Sequence, residues 1–169
     1  MLTMNMTHYM ALLADNQPWN LILYMVIPVG LAEALVATEF YTVFLRGKAG
    51  QWRVWNKYLG IVLGFYFLGI FLNLMITTVP GIQWRGPADI IAVGFYLSGV
   101  LPLFSIALLE LGVLGKGKTE EEKMKLHFIL LTVFLIVAHI AMIFGMVDPA
   151  IMGWDPGTTG VPAPQHHNH

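Results

Sequence analysis

Apolar residues fall into four long blocks along the chain, roughly Leu21–Leu45, Tyr58–Val79, Ala88–Leu114 and Met124–Val147. Each meets the ~20 residues that an α-helix needs to cross the hydrocarbon layer. The breaks between them read GKAGQWRVWNK, PGIQWRGP and GKGKTEEEKMK. All three are rich in Gly, Pro or charge, as turns are. The pattern predicts an all-α integral membrane protein, a four-transmembrane-helix bundle in one domain over residues 1–150. A Gly/Pro/His-rich tail follows over 151–169. Thr119 and Glu122 have the spacing of a capping box opening the fourth helix. Gly60 and Gly64 make a small-xxx-small surface on span two, and Gly69, Gly94, Ser98, Gly99 and Ser105 add further small positions for close helix contact. Pro28 and Pro102 lie inside spans one and three, where each removes a backbone donor and is expected to kink its helix.

Composition narrows the class. The 169 residues are 57% hydrophobic and only 11% charged, with a mean hydropathy of +0.68. Soluble domains carry about 25% charged residues, so this chain lacks the means to dress a water-facing surface. There is no cysteine, which excludes disulfides, thiolate metal sites and cysteine nucleophiles. No basic patch suited to nucleic acid is present. The first twenty residues hold no Lys or Arg, so no cleaved leader is expected.

Charge then sets a direction. Arg46, Lys48, Arg53 and Lys57 lie between spans one and two, and Lys116, Lys118, Lys123 and Lys125 between spans three and four. Arg85 is the exception. By the positive-inside rule the two basic loops face the cytoplasm, and both termini and the Gly81–Pro87 loop face outward, to the periplasm of a bacterial inner membrane. Trp19, Trp84 and Trp154 fall at the outer boundary and Trp52 and Trp55 at the inner one, as an aromatic belt requires.

The candidate chemistry is the set of ionisable residues inside the spans: Glu33, Glu39, Glu110, His127 and His139, with Asp89 at the outer edge of span three. Asn73 adds an uncharged polar group. A charge at the bilayer centre costs about 2.5–3.5 kcal/mol on insertion scales. Such groups are expected to face the bundle interior, another subunit or water. Helical rise puts Glu39, Glu110 and His127 at one level near the basic loops, and Glu33 and His139 at a second level near the midplane. With Asp89 at the outer mouth, beside Arg85, they would form a discontinuous polar track. Yet Glu33 and Glu39 point about 120° apart, as do His127 and His139. No straight helix holds either pair on one stripe, so the levels read as separate sites or as contacts to a partner. Glu39, Glu110 and His127, near helix ends, have the plain alternative of reaching toward the interface to pair with lysines. Glu33 has no such outlet and is expected inside the bundle.

Metal chemistry has several candidate ligands. Met4, Met6, His8 and Met10 combine soft thioethers with imidazole, a donor set that suits copper(I). His166, His167 and His169 end the chain. Glu33 and His139 are candidates within the spans. The plain readings are methionine as filler at a membrane surface and a solvated His-rich tail. Haem b is disfavoured, because both in-span histidines lie on span four and cannot face each other, although Met25, Met75, Met142 and Met146 offer second ligands. The segment from Asp148 to Pro164 reads as an extended surface tail.

The ordering MTHYM…DNQPWN…GLAEALVATE…WRGPADIIAVGFY…AHIAMIFGM resembles a family of small four-span bacterial inner-membrane proteins that are uncharacterised or loosely labelled permeases. The resemblance covers about residues 5–150. It implies four helices and the inner membrane, and no established activity or ligand.

Two functional readings follow. One is a buried carboxylate/histidine core that binds or conducts a cation, either a metal ion such as copper or protons. The other is a non-catalytic accessory subunit of a larger membrane redox or transport complex, or a homo-oligomer, whose polar groups are assembly contacts. No nucleophile, phosphate-loop or metallohydrolase motif marks an enzyme.

Overall fold

A computed structural model describes residues 7–155 of the chain, and among these the structure is all helical, with no strand. A short helix, α1 (His8–Ala14), precedes four long helical segments: span one (Trp19–Lys48), span two (Gly50–Gly81), span three (Pro87–Glu110) and span four (Glu120–Met146). All four are long and apolar enough to cross a membrane. Large apolar side chains point away from the bundle along their length, among them Phe44 at 72% exposure and Ile76 at 73%. Such an outward face is stable against lipid and not against water. The chain is therefore a multi-pass membrane protein.

The elements depart from the expected boundaries where turn chemistry was misread. Residues Gln51–Lys57 were expected in a loop. They form the first turns of span two, because the chain needs only the short Arg46–Lys48 turn and Ala49 to reverse before a Pro-free run resumes the helix. Span three ends at Glu110, and residues 111–118 form the turn into span four. There Thr119 and Glu122 close the reciprocal capping box.

The prolines act through the carbonyls they free. Pro28 has no N–H to return to Tyr24, and the turn before it widens to a π-helix over Ile22–Val26. Two carbonyls lose helical partners, and tyrosine hydroxyls replace them. The Tyr96 hydroxyl donates to Tyr24 O and the Tyr66 hydroxyl to Leu23 O, each at 2.8 Å. Pro102 likewise accompanies a one-residue irregularity in span three at Gly99, between Pro87–Ser98 and Val100–Glu110, where the backbone stays near helical angles.

Packing follows the small residues. A Cβ on Gly64 would stand 2.6 Å from both Ala107 Cβ and the Leu103 carbonyl oxygen, so spans two and three touch backbone to backbone there. Span one packs on span two, and span four on both halves of span three. Leu35, Leu63, Leu103 and Ile106 are wholly buried at the centre.

One end of the bundle is closed by the N-terminal segment. The Thr7 hydroxyl donates to Gly145 O at 2.6 Å, and the Tyr9 amide donates to Asp89 Oδ1 at 3.2 Å. Part of the expected surface tail also folds back. Asp148 caps a turn over Pro149–Met152 whose Pro149 is buried, and Trp154 lies against Gly86 at the head of span three. The proline and glycines read as signs of an open chain instead shape a tight return. Gly145 has little room to spare, because a Cβ there would meet the Tyr9 ring at 2.7 Å. Gly145→Val is therefore expected to undock α1 and leave the four spans folded. Limited proteolysis of the 15–18 linker should accelerate about tenfold or more, the equivalent of ~1.4 kcal/mol in docking. Unchanged cleavage would mean that α1 docks without that contact.

Candidate functional site

At the end of the bundle carrying the basic loops, three spans bring ionisable side chains to one point. Glu39 comes from span one, Glu110 from the last turn of span three and His127 from the second turn of span four. Glu39 Oε2 is 2.9 Å from His127 Nδ1, and Glu110 Oε1 is 3.7 Å from His127 Nε2. The Glu39 and His127 side chains are each 3% exposed, and Glu110 is 23% exposed. Gly60 on span two makes room for this, since a Cβ there would come 3.4 Å from His127 Nε2. The imidazole thus lies between two carboxylates, one on each ring nitrogen.

The cluster is ionisable but not fully hydrogen-bonded. Neither His127 nitrogen nor Glu39 Oε1 has an aligned hydrogen-bond partner among the described residues. Buried polar atoms of this kind need partners, and these border a cavity of about 390 Å³ that also touches Arg53, Lys57, Glu120 and Lys123. Arg53 and Lys123 both pair with Glu120, tying span two to the start of span four at the cavity rim.

Three neighbours were invisible in the apolar pattern. Asn56 is buried and donates to Thr38 Oγ1 at 3.3 Å and Leu35 O at 3.4 Å. The Thr42 hydroxyl, also buried, donates to Thr38 O at 2.7 Å. They form a polar collar beside Glu39. Asn56 escaped notice because its segment was assigned to a loop. The available signal was the spacing of Leu35, Thr38 and Thr42 along one helical face.

Glu33 and His139 occupy a different place. Glu33, expected in the interior, is exposed, and the interior position belongs to Glu39. The reason is the ~120° between them: with Glu39 turned inward, Glu33 cannot be. His139 is exposed as well, and its Nδ1 lies 2.6 Å from Leu135 O. Both residues line a lateral groove of about 680 Å³ along with Met25 and Met142. Glu33 makes no hydrogen bond or ion pair with another described residue. The expected polar track is interrupted, since the wholly buried Leu35, Leu63, Leu103 and Ile106 lie between the two levels.

Asp89 is wholly buried at the opposite end, where it accepts from the Tyr9 and Arg85 backbone amides. That contact ties the amino-terminal segment to the head of span three. Burial holds the His8 imidazole below its usual value of 6.5, with Asp89 opposing that shift and Arg85 adding to it. His8 and Met10 lie in α1, whereas Met4, Met6, His166, His167 and His169 lie outside the described residues. Among the described residues no three or more His, Asp or Glu side chains are grouped so as to hold a metal ion.

A family model described as "Family of unknown function (DUF6803)" matches residues 4–160. That description carries no transport activity, so the permease label of the resemblance is not supported. No curated protein and no solved structure matches.

Proposed function

The chain belongs to the DUF6803 family of unknown function, and from that premise we propose that it is a membrane protein whose Glu39–His127–Glu110 cluster binds and releases protons. The observation that carries this reading is the imidazole held between two carboxylates at the wall of a polar cavity. An imidazolium has an N–H on each nitrogen, and each would face an acceptor. A neutral imidazole has one, so one carboxylate then faces a lone pair unless it carries the proton itself. A proton gained or lost at any one of the three changes what the other two face.

The donor geometry favours protons over a metal ion. The two nitrogens of one ring point in opposite directions, so Glu39 and Glu110 cannot both join His127 on one ion. With the basic loops on the cytoplasmic side, the cavity takes its protons from the cytoplasm. The apolar layer above the cluster supports binding at a site over conduction through the bundle. Proton binding here would change the pairing between spans one, three and four.

The test is ¹⁵N resonance of labelled histidine in lipid nanodiscs across a pH series. The His127 ring nitrogens should change protonation across the series, and the pH at which they do so should move in Glu39→Gln and in Glu110→Gln. A His127 signal that ignores both substitutions would sink the proposal. So would a stoichiometric metal ion lost on His127→Gln.

A further inference from the structure

The lateral groove is built apart from the Glu39–His127–Glu110 cluster. Span one leans on span two, span four leans on span three, and spans one and four, which meet at Glu39 and His127, leave a groove between them elsewhere. The gap reaches down to Phe67, Tyr96 and Phe134, which are at most 9% exposed and belong to the hydrophobic core. Its volume of about 680 Å³ lies within the ~300–1,000 Å³ of small-molecule sites. Its walls are aromatic and aliphatic, and Glu33 and His139 are the ionisable carboxylate and imidazole on them.

The histidine tautomer says what kind of polar group belongs there. A carbonyl oxygen only accepts, so the short contact to Leu135 O fixes the proton on His139 Nδ1. In the neutral form of the ring, that leaves Nε2 as the lone pair. No described residue donates to it, and Glu33 beside the same groove adds carboxylate oxygens. Left against lipid, an ionised Glu33 would bear the cost of an intramembrane charge. The fitting occupant has hydroxyl donors on a flat ring and an apolar body that stays in the bilayer.

We propose that this groove binds a membrane-soluble phenol, its hydroxyl donating to His139 Nε2, a second ring hydroxyl where present donating to Glu33, and its ring lying among the aromatic walls. The lining holds no Lys or Arg, which disfavours haem, whose propionates need cations. The depth of the groove favours a small ring over a second copy of the chain, whose helix would meet it as a convex surface.

The experiment uses the full chain in nanodiscs with two probes, a long-chain 4-alkylphenol and its methyl ether. They share shape and apolar body, but the ether has no donor. The phenol should bind saturably at one site, about tenfold or more tighter than the ether, which corresponds to one net hydrogen bond. His139→Phe should bring the phenol down to the affinity of the ether. Ala138→Phe should block both probes by filling the groove while keeping both polar groups. Mass spectrometry of protein extracted from its native membrane should find a hydroxylated ring lipid, and its mass separates a prenylated hydroquinone from other phenols. Equal binding of phenol and ether, indifference to His139→Phe, a Soret band, or a dimer crosslinked through Glu33 would each overturn the proposal.

Discussion

His127→Ala is expected to destabilise the folded bundle by about 1–3 kcal/mol, because removing the imidazole leaves the buried Glu39 carboxyl without the group 2.9 Å from it. Glu39 would lie 3% exposed beside Glu110 with no imidazole between them. The partial exposure of Glu110 puts the expected loss toward the lower figure. Thermal and denaturant unfolding in a fixed detergent, followed by circular dichroism, measures the loss. The decisive comparison is a double-mutant cycle with Glu39→Gln. If the pair is coupled, Glu39→Gln should restore part of what His127→Ala loses, with a coupling of about 0.5–3 kcal/mol. Simple addition of the two losses would mean that the 2.9 Å approach contributes nothing, and the proton-binding reading would lose its physical basis.

The second large effect belongs to helix packing. Gly64→Val places a branched side chain where even one carbon would meet the Leu103 carbonyl and Ala107 at 2.6 Å. A backbone carbonyl in a helix cannot swing aside, so spans two and three must separate. Overpacking typically costs about 1–3 kcal/mol, and a backbone clash puts this case at the upper end or above. Because the carboxylate of Glu110 rides on span three, the same variant should also disturb the His127 resonance. Gly69→Val, on the same helix, brings its new Cβ within 4 Å of nothing beyond its own stretch of helix and should unfold nearly as the parent does. If both variants lose stability equally, helix propensity is the cause and the close approach of the two spans is not.

Much of the molecule follows from local chemistry. Four apolar blocks with Gly-, Pro- and charge-rich breaks give four spans, since a bilayer admits helices whose backbone groups are satisfied internally. Helical rise alone set Glu39, Glu110 and His127 at one level, because rise per residue is nearly constant whatever surrounds the helix. The Thr119–Glu122 cap is likewise local. It spans one turn and needs no neighbour.

What rise could not give is rotation. Which of Glu33 and Glu39 faces inward depends on how span one is turned, and the Gly64 contact, the π-turn before Pro28 and the tyrosine hydroxyls at its freed carbonyls fix the surrounding packing. A span apolar on nearly every face has no polar side to announce its orientation. For that reason Glu33, expected in the interior, lies in the groove, and Glu39, for which interior and interface were both open, is buried. The same holds for Asn56, whose burial depends on the helix of span two beginning several residues before the apolar block. The sequence by itself determined how many helices cross, where along each the acids and histidines lie, and that the basic residues gather at one end. The tertiary structure alone decided which of those groups meet, because contact between spans is settled by small residues and freed carbonyls far from the groups they bring together.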